Sequence, residues 1–143
     1  MIQIYPDASL EPSLAKIITN GSSLGLWWWL FNNNVTPSSS SVLGTFNAET
    51  ALSTPGIFVA FSAFTGGLAG HIGKYTAIPD IVFVNPTGSP LSEFGYFVTD
   101  AIAGSSPSGN LVLATLFDSA PVAIAASGGT LNVTPTLSLK ASS

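Results

Sequence analysis

Beyond Leu24 the chain is cut into short apolar runs by turn-forming residues, which leaves little room for anything but short strands. The runs are 24–31, 42–47, 57–64, 71–78, 81–85, 93–100, 110–118, 121–125 and 129–139. Between them stand Asn32-Asn-Asn34 with Pro37 and a serine tract, Thr54-Pro-Gly56, Gly66-Gly67, Asn85-Pro-Thr-Gly88, Gly104 to Gly109, and Ser127-Gly-Gly129. Glycine supplies positive φ, proline fixes φ, and Asn or Ser can bond its own nearby backbone, so these segments reverse the chain. Strands at this spacing predict an all-β fold, an antiparallel β-sandwich of jelly-roll-like form.

Within that pattern two kinds of strand are expected. Ile57-Phe-Val-Ala-Phe61 and Ile81-Val-Phe-Val84 are continuously apolar, as for strands covered on both faces. Leu131, Val133, Leu137 and Leu139 alternate with polar residues, with Pro135 marking an edge or a bulge. Asn34-Val-Thr-Pro37 recurs as Asn132-Val-Thr-Pro135, but the flanking residues differ and no duplicated domain follows from it.

The opening residues follow another rule. Ile2-Gln-Ile-Tyr5 alternates like a short strand or extended arm. Leu10, Leu14, Ile17 and Ile18 then form one apolar stripe at helical spacing. Ser9 can cap that helix, Glu11 and Pro12 suit its first turn, and Asn20-Gly21 ends it. The expected organisation is an N-terminal arm and helix over 1–23 and a single β-sandwich over 24–143, the arm reaching onto a neighbour. Leu14, Ile17 and Ile18 are its expected contacts. No basic n-region or long h-region opens the chain, so no signal peptide is expected.

Composition narrows the partners. Only 7% of residues are charged against 46% hydrophobic, where an ordinary domain carries roughly 25% charged. Such a chain covers itself poorly in water, and burial against other protein is the simplest remedy. Three lysines, no arginine and a net charge of −4 argue against nucleic acid, whose phosphates need clustered cations. The apolar run 24–31 falls far short of the roughly 20 residues a membrane-spanning helix needs, and the strand runs are too irregular for a transmembrane barrel. Without cysteine there is no disulfide or thiolate site.

No chemistry is written plainly into the side chains. Trp27-Trp28-Trp29 is the loudest feature: on a strand Trp27 and Trp29 share one face and Trp28 takes the other. Indoles can fill a core, anchor a subunit interface or stack on sugar rings. Trp28 is the expected interface anchor. His71 is the single histidine and has no ligand or nucleophile pattern beside it, so zinc is not expected. Seven acids (Asp7, Glu11, Glu49, Asp80, Glu93, Asp100 and Asp118) are scattered singly, without the dense acidic loop calcium needs. Two carboxyls meeting in space would be required for a glycosidase. Thr65-Gly-Gly-Leu-Ala-Gly70 lacks the Lys-Ser/Thr ending of a phosphate loop. No cofactor and no catalytic residue are therefore assigned.

Two stretches carry a resemblance. Leu30-Phe-Asn-Asn-Asn-Val-Thr-Pro37 followed by Val42-Leu-Gly-Thr-Phe46 resembles a pattern near the start of small β-rich proteins of tailed bacteriophages and viral metagenomes. Gly95-Tyr-Phe-Val-Thr-Asp100, Leu113-Ala-Thr-Leu-Phe117 and Thr130-Leu-Asn-Val-Thr-Pro-Thr-Leu-Ser-Leu139 are similar to the later half of the same proteins. The resemblance implies a virion structural protein of decoration or cement type, located in the virion. It would be non-catalytic and homo-oligomeric, with the major capsid protein or copies of itself as partners. The other expectation is a carbohydrate-binding or adhesin module of a virion fibre that uses exposed tryptophans.

Overall fold

The computed structural model describes residues 3–4, 24–61, 72–75, 80–134 and 137–140. Its elements are β1 (Gln3–Ile4), β2 (Leu24–Phe31), a 3-10 turn (Leu43–Thr45), β3 (Gly56–Phe61), β4 (Ile72–Tyr75), β5 (Ile81–Asn85), β6 (Leu91–Glu93), β7 (Gly95–Ala103), β8 (Ser106–Leu116), β9 (Val122–Ile124), β10 (Gly129–Val133) and β11 (Leu137–Lys140). The expected helix over 9–21, with Leu14, Ile17 and Ile18, lies outside the described residues, as does His71.

The fold is all-β and its ladders are antiparallel. Five strands form the main sheet in the order β1-β8-β7-β2-β3, and three two-stranded ribbons pair β10 with β5, β11 with β4 and β6 with β9. Gln3 and Ile4 lie opposite Thr115 and Ala114 of the same chain, so these two residues add an edge strand to this sheet.

The central strands are covered on both faces. On one face Leu26, Trp28 and Leu30 of β2 meet Tyr96 and Val98 of β7, Leu113 of β8, and Ile81, Phe83, Ile124 and Val133 from the ribbons. On the other, Trp29, Phe31, Phe97 and Ala114 meet Phe46, with Val35, Leu43 and Ala48 of the 32–49 connection packed over them. Alternation along β2 therefore feeds two cores at once. Expectation and structure part company here. The strands read as doubly covered are not: Phe58 and Val82 stand 50% and 45% exposed while Val59, Ile81 and Phe83 are buried. A run of apolar residues records β propensity as well as burial, and β-branched or aromatic side chains suit an outward pleat too.

Other corrections follow from backbone chemistry. Residues 42–47 are no strand: Thr45 N–H donates to the Val42 carbonyl and Val42 N–H to Thr45 Oγ1, closing a 3-10 turn. The run 129–139 divides into β10 and β11. The run at 93–100 breaks at Phe94, whose N–H leaves the ladder to bond the Phe31 carbonyl at 2.9 Å. The 104–109 separator shrinks to a tight turn at Gly104, after which β8 resumes.

Two irregularities shape the β7–β8 pair. Val98 faces Leu113 and Thr99 faces Leu111, so Val112 is an extra residue. That bulge puts Val112 and Leu113 into the same core. Further along, Asp100 is opposed by both Gly109 and Asn110. Gly109 takes φ +75°, and Asp100 accepts from Asn110 N–H at 2.7 Å and from its Nδ2 at 2.8 Å.

Candidate functional site

The tryptophan segment does not form a surface. Trp28 and Trp29 are each 0% exposed. Trp28 lies 5.3 Å from Tyr96 in one core, and Trp29 stacks on Phe97 in the other. The assignment of Trp28 as an interface anchor is thus corrected: its ring is consumed by the core of its own domain because Leu26 and Leu30 share its face. Trp27 alone is half-buried, 5.1 Å from exposed Phe58 on β3. A sugar platform needs exposed coplanar rings, and Trp28 and Trp29 do not provide them.

The asparagines after the tryptophans are likewise engaged. Asn33 Nδ2 donates to the Thr45 carbonyl at 2.9 Å, and Asn33 Oδ1 accepts from Asn47 N–H at 2.8 Å. Asn32 N–H reaches the Asn47 carbonyl, and Asn32 Oδ1 takes the Asn47 amide. These bonds fold the 32–49 connection back on itself and hold Phe46 over the sheet. A second amide, Asn85 at the end of β5, is fully buried. Its Nδ2 faces the carbonyls of Ser89, Ile124 and Ala125, and its Oδ1 accepts from Thr87 N–H and Oγ1.

What sequence reading missed is a pair of carboxyls far apart in the chain. Glu49 follows the connection where it crosses the end of β2: Phe46 and Ala48 belong to one core and Leu52 to the other. Glu93 sits at a similar crossing, between Leu91 and Phe94. Both crossings are tied to the last residues of β2, by Glu49 N–H to the Leu30 carbonyl and Phe94 N–H to the Phe31 carbonyl, each 2.9 Å. Their side chains are 7% and 0% exposed.

The two carboxyls are not equivalent. Glu49 accepts from Asn32 Nδ2 at 2.9 Å and from Ala51 N–H at 2.7 Å, the bonding a carboxylate needs. Among the described residues neither oxygen of Glu93 has a donor to accept from. Burial, then the charge of Glu49 and a hydrogen bond to it, push the Glu93 carboxyl up to about 8. A neutral Glu93 can donate its proton to Glu49, whereas two carboxylates could only repel. No spacing motif signals this pair; the one clue is an acid placed directly before the apolar Phe94-Gly-Tyr-Phe-Val stretch.

Chemically the pair holds a proton more readily than a substrate. A glycosidase cleaves between carboxyls that flank an open cleft, and Glu93 offers no exposed face. Among the described residues no three His, Asp or Glu side chains gather as metal donors. Among the described residues the remaining acids are apart: Asp80 accepts from Thr134 Oγ1 at 2.6 Å, Asp100 serves the bulge, and Asp118 lies exposed in a turn. No protein-family model, no curated protein and no solved structure matches the chain.

Proposed function

We propose that this protein is a non-catalytic structural component of a virion, a decoration- or cement-like protein that packs against the capsid or against copies of itself. The observation that carries the reading is a surface poor in charge among the described residues. Of the five acids whose side chains are described, Glu49 and Glu93 are buried and only Asp80 and Asp118 stand exposed. Among the described residues the surface carries fewer acids than the sequence suggests, and little self-repulsion opposes packing against neighbours. The resemblance of 30–37, 42–46, 95–100, 113–117 and 130–139 to phage proteins supports the same reading. The finer architecture we propose is a jelly-roll-like sandwich, its second layer made by the ribbons on the Trp28 side, with 1–23 as an accessory segment.

Contact with neighbours would use strand β3. Among the described residues β3 is paired on one side only, by β2, and it carries exposed Phe58 beside Trp27. An open strand edge offers backbone groups to another chain, with a large ring to fix the register. Light scattering after size exclusion, over a range of concentrations, tests this. A closed oligomer or concentration-dependent association is expected, and Phe58→Lys on β3 should shift it toward monomer. A monomer at every concentration that also fails to bind assembled shells would overturn the proposal.

A further inference from the structure

We propose that Glu93 and Glu49 form a proton-operated clasp: one proton shared between them holds the 32–51 segment against the sheet, and its loss releases that segment. The clasp stands where two crossings of the chain meet at the end of β2, and each crossing joins one core to the other. Glu49 belongs to the segment that lays Phe46 over Phe31 and Phe97. Glu93 belongs to β6, pinned by β9 and by the bond from Phe94 to Phe31. Separating the carboxyls therefore loosens the cover of one core while leaving the β7–β8 ladder intact.

The surroundings make the proton necessary. From β9, Val122 lies opposite Glu93 in the ladder. From the 32–51 segment come neutral Asn32 and ionisable Glu49, and Asn32 spends its amide on Glu49. Glu49 is the group whose charge acts on Glu93, and no cation is bonded to either Glu93 oxygen among the described residues. Without the proton two negative charges would face each other out of water, with no donor between them.

The sign follows from linkage. The folded chain holds the Glu93 proton up to a pH of about 8, whereas the unfolded chain releases it near the ordinary value of 4.5. The stability this group contributes is complete below the lower value and is lost as pH rises through the upper one. Glu93→Gln keeps a donor toward Glu49 but carries no titrating proton.

Two readouts on the full chain test the clasp. Infrared difference spectra should show a protonated carboxyl band at neutral pH that fades as pH rises through about 8 and is missing from Glu93→Gln. Hydrogen exchange, compared between the two proteins at equal pH, should show residues 42–51 exchanging progressively faster in wild type, the ratio growing by up to about tenfold per pH unit between 4.5 and about 8 and levelling above that. Residues 96–99 and 111–115 should keep equal protection. Glu49→Gln removes the facing charge and should move the wild-type transition to lower pH. Absence of the protonated band at neutral pH, or identical pH dependence of residues 42–51 in wild type and Glu93→Gln, would overturn the inference.

Discussion

Trp28 and Trp29 are neighbours of equal burial, so replacing each by Phe separates polar from apolar contributions. Both side chains are 0% exposed. Loss of the larger ring costs about 2 kcal/mol at either position, from the area lost and the cavity left. The polar parts then act in opposite directions. Trp29 Nε1 donates to Thr99 Oγ1 at 3.0 Å, and losing that bond adds about 1 kcal/mol. Trp28 Nε1 is buried without a partner among the described residues, and removing an unsatisfied donor returns about 1–3 kcal/mol. Trp29→Phe should therefore be destabilised by about 3 kcal/mol and Trp28→Phe by about 1 or less. Urea unfolding followed by circular dichroism, with the slope checked for constancy, measures both. A cycle with Thr99→Val should return a coupling of about 1 kcal/mol for Trp29→Phe and none for Trp28→Phe. Equal losses for the two tryptophan variants would refute the polar assignment.

Three further outcomes rest on single positions. Gly109→Ala should lower the melting temperature more than Gly104→Ala. Both glycines have positive φ, but only at Gly109 would a Cβ meet Asp100 Oδ1, at 2.1 Å; calorimetry should give about 1 kcal/mol for Gly104→Ala and clearly more for Gly109→Ala. Asn85→Asp keeps the shape but turns a donor toward three carbonyls into an acceptor, at a cost of about 3 kcal/mol at neutral pH by denaturant titration, less in acid where the new carboxyl gains a proton. Gly95→Ala should unfold the protein or leave it severely destabilised, because its Cβ would lie 2.0 Å from the Thr115 carbonyl and within 2.8 Å of the Phe31 ring; its soluble yield and melting curve should both fall well below those of wild type.

The all-β class was legible because turn chemistry acts locally. Asn85 and Gly104 end strands and Gly128 precedes one for reasons confined to a few residues, and 24–31 and 81–85 read to the residue. Facing was not legible. Whether Ile57-Phe-Val-Ala-Phe61 is covered once or twice depends on what packs above it, and Val42-Leu-Gly-Thr-Phe46 has the residues of a strand but the bonds of a 3-10 turn. The carboxyl pair was illegible for the same reason. Glu49 and Glu93 meet only because both crossings are tied to the end of β2, a fact of topology that no local pattern records. Trp28 was misjudged in the opposite direction: a conspicuous side chain invited a functional role where its neighbours Leu26 and Leu30 already fixed a structural one.

The high apolar fraction and the scarcity of charge have separate explanations. One sheet with two cores consumes apolar residues: the described side chains of β2, the first half of β7 and the second half of β8 are buried almost throughout, and among the described residues only Val42, Phe58 and Val82 are large, apolar and exposed. Among the described residues the apolar surplus is therefore covered largely within the chain. The charge deficit does not resolve in this way, because burial of Glu49 and Glu93 deepens it. What remains outside is largely hydroxyl and amide, a surface that neither repels its own kind nor steers toward an opposite charge. An assembly built on such a surface depends on strand edges and fitted shapes. Its association should change little with ionic strength, since few exposed charges are present to be screened.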